Sequence, residues 1–225
     1  MKSHIGVVQM RSSEQLTDNL NHAHSQIQYA ADKGIDLLAF PETFLYIGPD
    51  NEQKHQIAEA IDGATVETFQ GYAQRYNMSI LMGSIYEKIA DDPERLYNTS
   101  IFINRQGNID AVYRKIHLFD APSLGYNESD GIKAGNTPIV FDHEVGRIGL
   151  SICYDLRFPE LYRHLTAQGA EIIFVPAAFF LYTGKHHWLQ LLVARAIENQ
   201  VFIVAPNQWG QHYEGRISYG SSVII

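Results

Sequence analysis

Gly149-Leu150-Ser151-Ile152-Cys153-Tyr154-Asp155-Leu156-Arg157-Phe158-Pro159-Glu160 decides the reading of this chain. An apolar strand, expected over 147–153, runs up to the single cysteine, and a helix, expected over 158–168, follows almost at once. In outline this is a strand–nucleophile–helix elbow. A helix N-terminus beside the sulfur is expected to lower the thiol pKa. Downstream the alternation continues with a strand over 172–175, a helix over 188–199 and a strand over 201–205. Upstream lie a buried strand over 4–10 and a helix over 13–33. Leu16, Leu20, Ala23, Ile27 and Ala30 recur in that helix at spacings of three and four, and Gly34 closes it. A short strand over 36–40, a helix over 66–76 and a strand over 79–85 follow. Helices between strands indicate an α/β class. Two hairpins interrupt the pattern. Strands 97–104 and 109–115 meet at Arg105-Gln106-Gly107-Asn108, and strands 137–142 and 147–153 meet at His143-Glu144-Val145-Gly146. The sheets are therefore expected to be mixed rather than purely parallel.

Composition narrows the function. The 225 residues are 45% hydrophobic and 19% charged, near globular averages, and carry a net charge of −8. An acidic balance argues against nucleic acid or an anionic membrane as the main partner. It leaves open a small substrate in a locally basic site. No apolar run spans a bilayer. The N-terminus lacks the apolar core of a secretory signal, and one cysteine permits no intrachain disulfide, so a cytoplasmic protein is expected. The ten histidines show no His-x-x-x-His spacing, and no metal is expected.

Two further segments carry reactive side chains. In Phe40-Pro41-Glu42-Thr43-Phe44 a carboxylate sits just past a buried strand, where proline turns the chain. Active sites of open α/β sheets gather at such strand ends. In Tyr113-Arg114-Lys115-Ile116-His117-Leu118-Phe119 a lysine ends a hairpin strand and a polar loop follows. Taken singly, each residue has a plainer explanation. A lone cysteine in an apolar strand behaves as a small buried hydrophobe, Glu42 could cap a helix, and Lys115 could be a solvated hairpin end. Gly149-Leu150-Ser151-Ile152-Cys153 misses the serine-hydrolase elbow by one glycine. Neither a phosphate-binding loop nor a dinucleotide fingerprint is present.

Taken together, the three segments resemble the glutamate, lysine and cysteine motifs of the carbon–nitrogen hydrolase (nitrilase) superfamily. Further matches are Tyr97-Asn98-Thr99, Glu128-Ser129, Gly169-Ala170-Glu171-Ile172, His187-Trp188, Arg195 to Gln200 and Ser218-Tyr219-Gly220, so the resemblance spans the chain. It implies a four-layer α-β-β-α sandwich with two mixed sheets, built as one domain over 1–225. On this resemblance the domain is expected to lack the usual C-terminal segment of family members. The resemblance also implies a cofactor-free amidase whose protomers pair, as a homodimer or larger homo-oligomer, through helical faces. Cys153 is expected to attack the amide and form a thioester. Glu42 is expected to move the proton, its pKa raised by Phe40, Pro41 and Phe44. Lys115 is expected to hold the oxyanion with the Tyr154 N–H, and Glu128 to act as an auxiliary group.

The substrate is less sharply drawn. The cysteine segment, Ala178-Phe179 and Thr183-Gly184-Lys185-His186-His187-Trp188 look most like the branch holding deaminated glutathione amidases and omega-amidases. Arg216-Ile217-Ser218-Tyr219-Gly220 favours the former. Arg157, four residues past Cys153, could grip a substrate carboxylate or pair with Asp155 or Glu160, and Phe179 and Thr183 could line the same pocket. The expected reaction is hydrolysis of a small 2-oxo acid amide such as deaminated glutathione, releasing ammonia. Omega-amidase action on 2-oxoglutaramate, or hydrolysis of N-carbamoyl or aliphatic amides, is the alternative. A thiol redox sensor and an inactive interaction module are readings from other classes. Neither requires Glu42 or Lys115.

Overall fold

The expected apolar strands form, and both of their faces are covered. The computed structural model describes residues 3–225. The first half of the chain supplies β1 (Ile5–Val7), α1 (Leu16–Asp32), β2 (Leu37–Ala39), α2 (Asn51–Ile57), α3 (Ala64–Tyr76), β3 (Ser79–Lys88), β4 (Leu96–Ile103) and β5 (Ile109–Arg114). Its sheet has the order β1-β2-β3-β4-β5, parallel up to β3 and antiparallel from there. Two-residue strands β6 (Asp120–Ala121) and β7 (Tyr126–Asn127) pair in the next loop. The second half supplies β8 (Val140–His143), β9 (Gly146–Leu150), α4 (Pro159–Ala167), β10 (Ile172–Phe174), α5 (Leu181–Asn199) and β11 (Phe202–Ala205). The chain ends with β12 (Trp209–Tyr213), β13 (Arg216–Tyr219) and β14 (Val223–Ile224). The second sheet has the order β14-β11-β10-β9-β8, with β9, β10 and β11 parallel and the two edges antiparallel.

The period-two alternation of strand side chains separates the layers. Leu38, Ile80, Met82, Ile101 and Ile103 face α1 and α3, where Ala23, Ile27, Val66, Phe69 and Ala73 are buried. Their neighbours Leu37, Ala39, Leu81, Phe102, Ala111 and Tyr113 face the second sheet instead. On the far side of that sheet lie Leu161 and Leu165 of α4 and Trp188, Leu192 and Ala196 of α5. Between the sheets the rings of Phe102 and Phe141 meet edge-on, centroids 4.8 Å apart. The result is the expected α-β-β-α sandwich. Among the described residues, no helix is long and apolar enough to cross a membrane.

Several elements differ from the sequence expectation. The strand leading to Cys153 ends at Leu150, and Cys153 opens a short 3-10 turn, Cys153–Arg157, that precedes α4. The helix expected over 188–199 starts seven residues earlier, at Leu181. Gly184, inside this helix, lets it approach β13: a Cβ at this position would press on Tyr219. Short α2 and the β12–β13 hairpin carry no strong periodic signal and were not anticipated.

One irregularity in β3 positions the Glu42 segment. Pairing of β3 with β4 slips by one residue between Met82 and Ile85, the signature of a bulge. Within it, Gly83 lies directly against the backbone carbonyls of Phe40 and Pro41, and the Ser84 hydroxyl accepts a hydrogen bond from Thr43 N at 2.9 Å. Any side chain at residue 83 would overlap those two carbonyl oxygens. Gly83→Ala is therefore expected to cost about 3 kcal/mol. Thermal unfolding should register this as a fall in Tm of roughly 6–12 °C. An unchanged Tm would mean that the close approach does not fix this segment.

Candidate active site

Glu42, Lys115 and Cys153 lie far apart in sequence, and the sandwich brings all three to one end of the sheets. Glu42 follows β2, Lys115 follows β5, and Cys153 stands three residues beyond the end of β9. Glu42 Oε1 accepts from Lys115 Nζ at 2.8 Å and from Asn98 Nδ2 at 2.9 Å, and its Oε2 accepts from Ala178 N at 2.9 Å. Lys115 Nζ also donates to both oxygens of Glu128, at 3.0 and 2.8 Å. Glu128 in turn is fixed by Phe119 N at 2.8 Å and by Asn98 Nδ2 at 3.1 Å. The ammonium is only 2% exposed and lies between two carboxylates that are themselves buried. Asn98, quoted above only as a matching residue, braces both acids.

The electrostatics reverse two sequence expectations. Burial pushes the Glu42 carboxyl upward, as anticipated, but the Lys115 charge and hydrogen bonds from Lys115, Cys153 and Ala178 hold it below the ordinary carboxylate range. The apolar neighbours do not set the outcome because the ammonium and the hydrogen bonds together outweigh burial. Burial also opposes the charge of Lys115, yet the charges of Glu128 and Glu42 keep it protonated well above the usual lysine range. The Cys153 thiol moves opposite to the expected direction. Burial and the Glu42 charge push it well above the ordinary thiol range, and Lys115 offsets this only in part. A one-turn 3-10 segment lacks the dipole of a long helix, so it does not outweigh those two effects. The resting site therefore holds a neutral thiol beside an ionised carboxylate on one cavity wall.

Backbone conformation serves the same assembly. Cys153 and Thr43, the residue after Glu42, both have positive φ, 46° and 48°, uncommon for residues with a side chain. Such strain persists where the surroundings over-determine it. For Cys153 those surroundings include Pro176, whose carbonyl accepts from Cys153 N at 2.9 Å, and Asp155. Asp155 is fully buried and accepts from Ile152 N at 2.8 Å, Tyr113 OH at 2.7 Å and His117 N at 2.9 Å. It ties the cysteine turn directly to the lysine segment. Sequence reasoning considered Asp155 only as a partner for Arg157. The structure brings neither Asp155 nor Glu160 to Arg157.

Glu42, Asn98, Lys115, Glu128 and Cys153 line a cavity of about 490 Å³. Tyr154, Arg157, Phe179 and Thr183, all anticipated, line it too. The Arg157 guanidinium lies 5.3 Å from the Phe179 ring centroid and 5.7 Å from that of Tyr154, and its Nη2 is 3.2 Å from His187 Nδ1. Two more cations, Lys54 and Arg216, reach the cavity from α2 and β13; the sequence reading gave Lys54 no role and used Arg216 only as part of a matching run. Among the described residues, no group of three or more His, Cys, Asp or Glu side chains is placed to hold a metal ion. A thiol and a carboxylate–ammonium pair lining one cavity can perform acyl transfer with proton movement.

Known proteins similar to this chain identify its family. The family described as carbon-nitrogen hydrolase matches residues 4–225. A deaminated glutathione amidase of Synechocystis is 44% identical over 223 residues, covering 97% of this chain and 82% of that protein. Another from Dictyostelium discoideum is 43% identical, covering 98% and 79%. The crystal structure of the Caenorhabditis elegans NitFhit protein superposes with a TM-score of 0.93 at 37% identity, over all of this chain and 56% of that one. An amidase from Nesterenkonia, in a variant that adds acrylamide at its active-site cysteine, superposes with a TM-score of 0.84 at 25% identity, over 100% and 85%. On the family match across nearly its whole length and on these similarities, the chain belongs to the carbon-nitrogen hydrolase family of the nitrilase superfamily, as an amidase.

Proposed function

We propose that this amidase hydrolyses the amide of a 2-oxo acid, with deaminated glutathione as its substrate, through a thioester on Cys153. The observation that carries this reading is the Cys153–Glu42–Lys115 cluster opening into a cavity that Arg157 also lines. The relatives named deaminated glutathione amidases, at 44% and 43% identity, support the choice of substrate.

The chemistry follows from the protonation states. Glu42 takes the thiol proton as sulfur attacks the amide carbon. The carbonyl oxygen, becoming an oxyanion, receives hydrogen bonds from the Lys115 ammonium and the Tyr154 N–H. That N–H lies at the start of the 3-10 turn, where backbone donors lack intrahelical acceptors. Glu42 then passes its proton to the amide nitrogen as the carbon–nitrogen bond breaks. A water molecule attacks the thioester, Glu42 takes the water's proton, and collapse of the second oxyanion expels sulfur, which recovers that proton. Glu128 keeps Lys115 charged and aimed throughout.

The released amine depends on the substrate. In deaminated glutathione the nitrogen of the 2-oxoglutaryl amide belongs to cysteinylglycine, so the dipeptide leaves. Ammonia leaves only from a primary amide such as 2-oxoglutaramate. Arg157, with Phe179 and Thr183 beside it, binds the carboxylate of the 2-oxo acid in this reading. Glu42 and Glu128 repel that group, and Lys115 is already engaged.

We also infer that two copies pair across α5. Leu189, Val193 and Ile197 recur there at four-residue spacing, with Ile197 70% exposed, and Phe202 adds a further exposed apolar side chain. Sedimentation should show a dimer that Val193→Asp with Ile197→Asp dissociates. A monomeric wild type would refute the pairing.

Steady-state kinetics on both 2-oxo amides test the proposed roles. Cys153→Ser should lose nearly all turnover while keeping the fold. Glu42→Gln should lower kcat by at least about 10²-fold, and Lys115→Met by about 10²- to 10³-fold. Near-wild-type kcat in any of the three would remove that residue from the mechanism. Arg157→Ala should lower kcat/KM for 2-oxo acid amides by roughly 10- to 150-fold and affect a neutral amide much less. Equal losses would make Arg157 a support for the cysteine turn instead.

A further inference from the structure

Arg216 is a cavity cation for which the reaction above has no use. It begins β13, and its guanidinium carbon lies 3.6 Å from the centroid of the Phe180 ring. Its Nη2 donates to Ala178 O at 2.7 Å, while Nη1 is buried with no hydrogen-bond partner among the described residues. Buried donors are nearly always paired, and Arg216 itself lines the cavity, so its guanidinium retains hydrogen-bonding capacity for a ligand oxygen. The same residue, Ala178, gives its N–H to Glu42 Oε2 at 2.9 Å. The Arg216 fork therefore sits one peptide unit from the proposed base, close to where the amide nitrogen must receive its proton.

Arg157 and Arg216 occupy different places on the wall. Arg157 is held on the rings of Phe179 and Tyr154, and Arg216 on that of Phe180. Between them runs a chain of ring contacts, Tyr154 to Phe119 at 5.0 Å and Phe119 to Phe180 at 5.5 Å. The cavity thus carries one fixed guanidinium at each end of an aromatic wall, in a protein whose net charge is −8. The charge of Lys115 is already taken up by Glu42 and Glu128. An elongated ligand with two anionic ends fits this distribution better than a monoacid does.

We propose that Arg216 binds a carboxylate on the leaving-amine side of the scissile bond, opposite the 2-oxo carboxylate at Arg157. This rests on the substrate reading above and deepens it. The substrate class becomes a 2-oxo acyl amide of a peptide with a free C-terminus, and in deaminated glutathione the group at Arg216 is the glycine carboxylate. A guanidinium presents two parallel donors to a carboxylate, and fixing it on a ring lowers the ordering cost of binding.

The test compares wild type, Arg216→Met and Arg216→Lys on three substrates: deaminated glutathione, the same compound ending in glycinamide, and 2-oxoglutaramate. Wild type should prefer the free acid to the glycinamide. Arg216→Met should lower kcat/KM for the free acid by about 10- to 150-fold, at least roughly tenfold more than for the other two. Arg216→Lys, which keeps charge but loses the fork, should fall between. Equal losses on all three substrates would mean that Arg216 acts only through Ala178 and Glu42, and would overturn the proposal, as would a wild type indifferent to the terminal carboxylate. Calorimetry on Cys153→Ala, with and without Arg216→Met, reads the subsite without turnover. Carboxylate-dependent binding that Arg216→Met abolishes, in a protein that cleaves none of the three compounds, would support the subsite and refute the activity. Binding that ignores the carboxylate would refute the subsite.

Discussion

Lys115 keeps its positive charge in a place where water barely reaches it, and it can do so only because Glu42 and Glu128 stand within 3.0 Å of its nitrogen. Desolvating an ammonium and two carboxylates is costly. Removing one member of such a buried pair typically destabilises by about 3–5 kcal/mol. The cluster also carries one more negative than positive charge, so it demands further donors. Asn98, Phe119 N and Ala178 N supply them. These donors come from β4, from the loop after β5 and from the segment after β10, so satisfying one ion cluster requires both sheets and their loops to be in register.

The strain at Thr43 and Cys153 follows from that requirement. The bulge at Gly83 lets the Glu42 segment cross close to β3 before reaching the ammonium, and Asp155 fastens the cysteine turn to the segment that carries Lys115. Sulfur and carboxylate line the same cavity, with the proton on sulfur. In the proposed reaction, attack and deprotonation are then one event. In that proposal the carboxylate that keeps the thiol neutral at rest is also the group that accepts its proton when an amide carbon arrives. A low-pKa thiolate, the requirement of a redox sensor, does not match this environment.

Much of this was legible in the chain. Strand and helix alternation, the two hairpin turns and the three reactive segments gave the class of sheet and the order of motifs, because each depends on local pattern. The register of Glu42 on Lys115 was not legible from periodicity and entered through family resemblance. The Glu42 and Cys153 shifts were misread for different reasons: Glu42 is set by an ammonium from a distant segment, whereas the Cys153 thiol is raised first by burial and then by the Glu42 charge, which outweigh the short turn that follows it. Asp155 sat in plain view within Cys153-Tyr154-Asp155, but its partners, Tyr113 and His117, lie about forty residues away. Arg216 was visible only as part of a matching run, since a role in the cavity requires the β12–β13 hairpin that sequence did not suggest.

The most direct measurement of this account is the pH dependence of Cys153 alkylation, which a single-cysteine chain reports without ambiguity. Iodoacetamide reacts with the thiolate, so its rate traces thiol ionisation. The wild-type rate should keep rising with pH beyond the ordinary thiol midpoint of about 8.5. Glu42→Gln removes the carboxylate charge and leaves Lys115 beside the sulfur, so the midpoint should move to lower pH. A wild-type rate that has already levelled off at neutral pH would contradict the neutral thiol–carboxylate pair, and so would a midpoint that Glu42→Gln moves upward.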